Sequence, residues 1–132
     1  MIRRITDTFW VAPQIDPADL AEISAAGARL ILNNRPDFEE PGQPEGAQIR
    51  AAAEGLGLAY AEIPVHGGPG RDQVAAMRAA LDAADGPVLA YCKSGTRSIL
   101  TWAVAEIASG ARQPQEVIAL ARNAGYDISR WV

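Results

Sequence analysis

No part of this chain restricts its fold more than residues 86–109. Gly86-Pro87 opens onto Val88-Leu-Ala-Tyr91, a run apolar at every position, as a central parallel strand covered on both faces requires. The polar stretch Cys92-Lys-Ser-Gly-Thr-Arg97-Ser98 follows at once. A strongly apolar segment from Ser98 to Ser109 comes next and stops at Gly110, which predicts a helix buried on most sides. A buried strand that turns into a buried helix through so short a loop belongs to an α/β architecture.

The remaining segments repeat that alternation. Thr8–Ile15 reads as a first strand, with Pro13 suggesting an edge position because proline cannot donate to a central ladder. Asp16-Pro17 is a helix start, cap and first residue, for a helix carrying Leu20, Ile23 and Ala26 and ending at Gly27. Ala28–Leu32 reads as a buried strand running into the polar cluster Asn33–Asp37, and residues 38–44 read as loop. A helix over Glu45–Glu54, a strand over Leu58–Val65, a loop His66–Gly70, a helix over Arg71–Ala84 and a last helix over Pro114–Asn123 complete the chain. This order predicts a mostly parallel central sheet flanked by helices, built of βαβ units and forming a single domain over 1–132. In such sheets ligands bind beyond the carboxyl ends of the strands, so the loops bearing Asn33–Asp37, His66 and Cys92 should gather on one edge.

Charge and cysteine count narrow the chemistry. A net charge of −4 speaks against nucleic acid or an anionic membrane as partner and leaves small molecules or proteins. The N-terminus lacks the apolar run of a signal peptide and no stretch is long enough to span a membrane, so the cytoplasm is the expected compartment. One cysteine and one histidine cannot supply a thiolate and imidazole zinc site, and no cofactor or metal is expected. Cys92 is then either an inert buried side chain or a nucleophile.

Its surroundings decide for the nucleophile. Backbone N–H groups of a strand-to-helix loop can point inward as an anion nest, reinforced by the positive end of the helix. Lys93 and Arg97 add positive charge, Gly95 permits backbone angles closed to other residues, and Ser98 can donate its hydroxyl to the sulfur. We assign Cys92, Arg97 and Ser98 to catalysis and Lys93, Ser94, Gly95 and Thr96 to the anion cradle. His66 and Arg35 are candidates for substrate contact. His66 reads equally as a surface side chain, and Arg35 reads rather more readily as a structural partner of Asp37 or Glu39. Trp10, Trp102 and Trp131 read as packing residues.

The loop Cys-x-x-Gly-x-Arg-Ser resembles rhodanese active loops. Together with Asn33-Asn-Arg-Pro-Asp37, Glu39-Glu-Pro-Gly-Gln-Pro44 and Ile63-Pro-Val65, it makes the chain resemble the phosphatase-like domain of the beta-lactamase-hydrolase-like protein family. That resemblance implies a dual-specificity-phosphatase-like fold and either phosphatase or sulfurtransferase activity. Tyrosine phosphatases use Cys-x5-Arg, one residue longer than here, and place an aspartate general acid where this chain has His66-Gly-Gly68. Asp72 is close in sequence but reads as a cap at a helix start. The expectation is therefore a rhodanese-like sulfurtransferase forming a Cys92 persulfide, with a small anionic donor and a thiol or cyanide acceptor. The alternatives are a phosphatase that acts on a phosphorylated substrate through a phosphocysteine, and a module that binds such ligands without turnover.

Overall fold

The computed structural model describes residues 1–132. Five strands form one sheet in the order β1-β2-β5-β3-β4, where β1 is Arg3–Arg4, β2 Phe9–Ala12, β3 Leu30–Asn33, β4 Ala59–Glu62 and β5 Val88–Tyr91. All neighbours are parallel except β1, which runs antiparallel to β2. The helices are α1 (Leu20–Ala25), α2 (Gly46–Gly55), α3 (Arg71–Ala83), α4 (Thr96–Ala108) and α5 (Pro114–Asn123).

Period-two alternation in the strands sorts the core onto the two sheet faces. Phe9, Val11, Leu30, Leu32, Val88 and Ala90 point toward α3, α4 and α5, where they meet Met77, Ile99, Trp102 and Val117. Trp10, Ala12, Ile31, Leu89 and Tyr91 point the other way, onto Leu20 and Ile23 of α1 and Ile49 and Ala53 of α2. The Phe9 and Trp102 rings stack nearly parallel, 7° apart with centroids 5.2 Å from each other, and tie β2 to α4. β5 lies between β2 and β3, fully buried, as its uniform apolarity requires.

Three expectations change. The first strand is not an edge: β2 ends at Ala12, so Pro13 never enters the ladder, and the edge is taken by the two-residue β1. The early helix begins as a 3-10 turn over Pro17–Asp19 before α1. There the Asp19 carboxylate accepts the Asp16 N–H at 2.8 Å, so Asp16 is held through its backbone rather than capping with its side chain. The strand expected over 58–65 is regular only at Ala59–Glu62, although Ile63 and Val65 still donate to the Asn33 and Asn34 carbonyls at 2.8 and 2.9 Å as the chain leaves the ladder. No helix is long and apolar enough to cross a membrane.

Leu89 is fully buried at the centre of β5. Leu89→Ala should therefore destabilise the fold by about 2–5 kcal/mol, seen as a lower urea midpoint with an unchanged slope.

Candidate active site

β5 delivers Cys92 to the carboxyl edge of the sheet between the ends of β2 and β3. The thiol is fully buried and its Sγ accepts the Gly95 N–H at 3.1 Å. Gly95 caps α4 with φ 97°, a conformation that strains any other residue, and a Cβ there would collide with Tyr126 Oη and lie 2.8 Å from Val11 Cγ1. Neighbouring loop carbonyls face outward and are held: Gln14 N–H donates to Lys93 O at 3.1 Å and Tyr126 O–H to Ser94 O at 3.0 Å. Ser94 Oγ donates to Thr96 Oγ1 at 3.0 Å. Because a trans peptide points its N–H opposite its C=O, carbonyls tethered outside leave the Ser94 and Gly95 N–H groups directed inward.

Arg97 is fixed from the far side. Its Nη1 donates to Glu39 Oε2 at 2.7 Å and to Val65 O at 2.9 Å, and its Nη2 donates to Glu39 Oε1 at 2.9 Å. Arg35, 4 % exposed, donates from Nε to the same Glu39 Oε1 at 2.9 Å, from Nη2 to Glu40 Oε1 at 2.7 Å and from Nη1 to Gln14 Oε1 at 3.1 Å. Lys93 Nζ reaches Glu40 at 3.3 Å. Three cations thus surround two carboxylates. The Arg97 hydrogen bond, opposed by partial burial and helped by Arg35, lowers the Glu39 carboxyl to about 2. Glu40 is lowered by Arg35 and then Lys93. Arg97 is held above its ordinary range, chiefly by Glu39 and further by the charge of Cys92.

The segment that carries Glu39 is held by its own polar side chains. Asn33 Oδ1 accepts the Arg35 N–H at 2.8 Å and Asp37 Oδ1 the Gly46 N–H at 2.8 Å. Gln43 Oε1 accepts the N–H groups of Glu39 and Glu40 at 3.1 and 3.3 Å, while its Nε2 donates to Pro36 O at 2.9 Å. These bonds hold Phe38 at φ 64°, the only non-glycine residue with a positive φ, and it stands 81 % exposed beside Glu39. A bulky residue in that region costs on the order of 1–3 kcal/mol, which the surrounding bonds must offset.

The remaining assigned residues divide between those placed as the sequence suggested and those that are not. Ser98 is buried, but its Oγ has no hydrogen-bond partner, and the hydrogen bond to the sulfur comes from the Gly95 backbone. Arg35 pairs with Glu39, one of its two expected partners, and with Glu40 instead of Asp37, and at 4 % exposed it lies buried against the loop it supports. His66 is exposed on the rim, one residue beyond Val65. Asp72 is exposed in the first turn of α3 and lines a shallow groove with Glu62, Pro64 and Gln73. Trp10 and Trp102 pack in the core, whereas Trp131 is 52 % exposed, with the Arg130 guanidinium 5.5 Å from its ring centroid. Glu39, Gln14 and Tyr126 complete the site. Only Glu39 had a sequence signal, its nearness to Arg35; the others arrive through tertiary folding.

None of the cavities opens onto Cys92. A cleft of about 260 Å³ lies at the opposite edge of the sheet, lined by Thr6, Phe9, Arg78, Trp102, Glu106 and others. Arg78 and Arg112 there are already paired with Glu106 at 2.7 and 3.1 Å, so the cleft has no open cation pair. Nowhere do three His, Cys, Asp or Glu side chains gather as a metal site would need.

Residues 1–109 match the family model described as beta-lactamase hydrolase-like protein, phosphatase-like domain. A beta-lactamase hydrolase-like protein of Agrobacterium fabrum is 35 % identical over 133 residues, covering 98 % of this chain but 31 % of that protein. The chain thus spans about a third of the length of that relative. Among solved structures, a candidate phosphatase from Neisseria meningitidis superposes with a TM-score of 0.87 at 33 % identity, covering 98 % of this chain and 92 % of the other. P. aeruginosa TpbA, solved in complex with phosphotyrosine, shares the fold with a TM-score of 0.69 at 18 % identity, over 96 % of this chain and 75 % of that one. A family match over residues 1–109, together with 35 % identity to a curated member along 98 % of the chain, means that the chain belongs to the phosphatase-like domain family of the beta-lactamase hydrolase-like proteins.

Proposed function

We propose that this phosphatase-like domain hydrolyses phosphomonoesters through a phosphocysteine on Cys92, and that aryl esters are its substrates. The observation that carries this reading is the free edge of Arg97. Of its five N–H donors, one on Nη2 and both on Nη1 are spent on Glu39 and Val65 O. The Nε–H and the second Nη2–H remain, adjacent on one side of the planar guanidinium, and suit two oxygens of a tetrahedral anion. Glu39 therefore orients the clamp without filling it.

In the first step the Cys92 sulfur attacks phosphorus in line with the ester oxygen. The P–O bond breaks, and the inward N–H groups together with Arg97 stabilise the equatorial oxygens. Water then attacks the phosphocysteine, releasing phosphate and restoring the thiolate. Ser98, buried with no partner for its hydroxyl, is positioned in the first turn of α4 as a reserve donor for the departing sulfur. His66-Gly67-Gly68 offers no carboxylic acid to protonate the leaving oxygen. A phenolate leaves unaided far more readily than an alkoxide, hence the preference for aryl esters. The phosphotyrosine complex of TpbA and the candidate phosphatase from Neisseria support the same reading.

Sulfur transfer is the second reading, favoured by the Cys92–Arg97 spacing, one residue tighter than the loop of tyrosine phosphatases. There Cys92 attacks the outer sulfur of thiosulfate, the S–S bond breaks, sulfite leaves, and a thiol or cyanide removes the persulfide sulfur. The two activities are separated by intact-mass measurement after thiosulfate treatment beside turnover of an aryl phosphate, with Cys92→Ser as control. Cys92-dependent phosphate release without sulfur uptake supports the phosphatase. One added sulfur, removable by cyanide, without phosphate release establishes the transferase.

Aryl phosphates should be hydrolysed at least about 100-fold faster than alkyl phosphates, and His66→Ala should leave aryl turnover within about threefold. Comparable alkyl rates would show that an acid has been overlooked. Glu39→Gln should lower kcat/KM roughly 10- to 100-fold by releasing the Arg97 fork. The same change should cost on the order of 1–2 kcal/mol of stability, discounted for the partly solvated carboxylate. Because the Glu39 carboxyl lies below its ordinary 4.5, at about 2, that difference is full above pH 4.5 and fades as pH falls toward 2, which urea unfolding across pH reads directly.

A further inference from the structure

We infer that Tyr126 is a positioning residue of the thiolate cradle, the latch that keeps the Ser94–Gly95 peptide turned with its N–H on the Cys92 sulfur. One peptide plane carries both contacts: its carbonyl oxygen accepts the Tyr126 O–H at 3.0 Å on the outside, and its N–H reaches Cys92 Sγ at 3.1 Å on the inside.

The need for a latch follows from Gly95. A peptide flip at this position changes ψ of Ser94 and φ of Gly95. Glycine accepts φ 97° and its negative-φ counterpart about equally well. The residue that makes the cradle possible thus also makes this plane the easiest in the loop to invert. Inversion would aim the Ser94 carbonyl dipole at the sulfur, opposing a negative charge there. The preceding plane has a backbone tether, Gln14 N–H to Lys93 O at 3.1 Å, but Ser94 O has only the Tyr126 hydroxyl.

Tyr126 is itself held for the task. Arg3 Nη1 donates to Ala124 O at 3.3 Å and its guanidinium lies against Gly125, and the Tyr126 N–H donates to Ala121 O at 2.9 Å at the end of α5. Its phenol is raised above the ordinary range, by burial first and then by the charge of Cys92, with Arg3 opposing. Tyr126 lies beyond residue 109, where the family match ends, so this part of the site comes from outside the matched segment.

This inference rests on Cys92 acting as a thiolate, not on which anion it attacks. The test is the pH titration of thiolate absorbance near about 240 nm, read cleanly because the chain has one cysteine, with Cys92→Ser as blank. Tyr126→Phe keeps the ring and its packing, and should leave the melting temperature within about 3 °C. It should move the thiolate midpoint upward by about 0.5–1 pH unit and lower kcat/KM for an aryl phosphate about 3- to 10-fold. A midpoint below that of free cysteine in the unaltered protein, unmoved in Tyr126→Phe, would overturn the latch alone. An ordinary midpoint in the unaltered protein would overturn the thiolate reading and the latch with it.

Discussion

The Glu39 carboxylate is the constraint on which the site depends. It accepts hydrogen bonds from both Arg97 and Arg35, so one side chain joins the loop after β3 to the loop after β5. A buried arginine without a partner would cost several kcal/mol, and Arg35 is almost wholly buried. Glu39 and Glu40 solve that problem for Arg35, and Glu39 in the same act aims Arg97. What stabilises the fold at this edge and what orients Arg97 are therefore one interaction. Removing the carboxylate would leave Arg35 short of a partner as well as freeing Arg97.

Sheet order brings these loops together. β5 sits between β2 and β3, so the segment after β2, carrying Gln14, and the segment after β3, carrying Arg35 and Glu39, flank the cysteine loop on either side. Gln14 shows how economical the arrangement is: its N–H holds the Lys93 carbonyl while its Oε1 accepts from Arg35. The cradle is thus braced by two neighbouring loops and by the segment after α5. Such bracing fixes the dipoles around Cys92, and on the proposed reading dipoles already in place need no reorganisation when charge develops.

The sequence revealed those parts of this design that are local. The apolar run Val88–Tyr91, the loop glycine at 95 and the helix that follows are encoded within some twenty residues, and with them came the architecture and the edge of the sheet at which Cys92 lies. Short β1 was hidden because two exposed arginines carry no strand pattern, and the 3-10 turn at Pro17 because a helix cap and a tight turn share the same residues. The ion network was half legible. Arg35 and the acidic pair beside it suggested local pairing, but that Glu39 also reaches Arg97, 58 residues away, is a tertiary fact. Tyr126 had no sequence signal, since its contact spans 32 residues and ends on a backbone carbonyl.

Phosphate and sulfur chemistry make the same demand on the ground state: a nucleophilic sulfur, inward N–H groups and a forked cation. They part at the leaving group. Sulfite departs as a stable anion and needs no proton, and a phenolate comes close to that condition, whereas an alkoxide does not. With His66 exposed at the rim and Asp72 turned into a separate groove, no acid is positioned over the cradle. On the phosphatase reading proposed above, the favoured substrates would be those whose departing atom carries its own charge, and the sulfur-transfer reading makes the same demand. Specificity would then be set less by the cradle, which any tetrahedral oxyanion could enter, than by the proton the site does not supply.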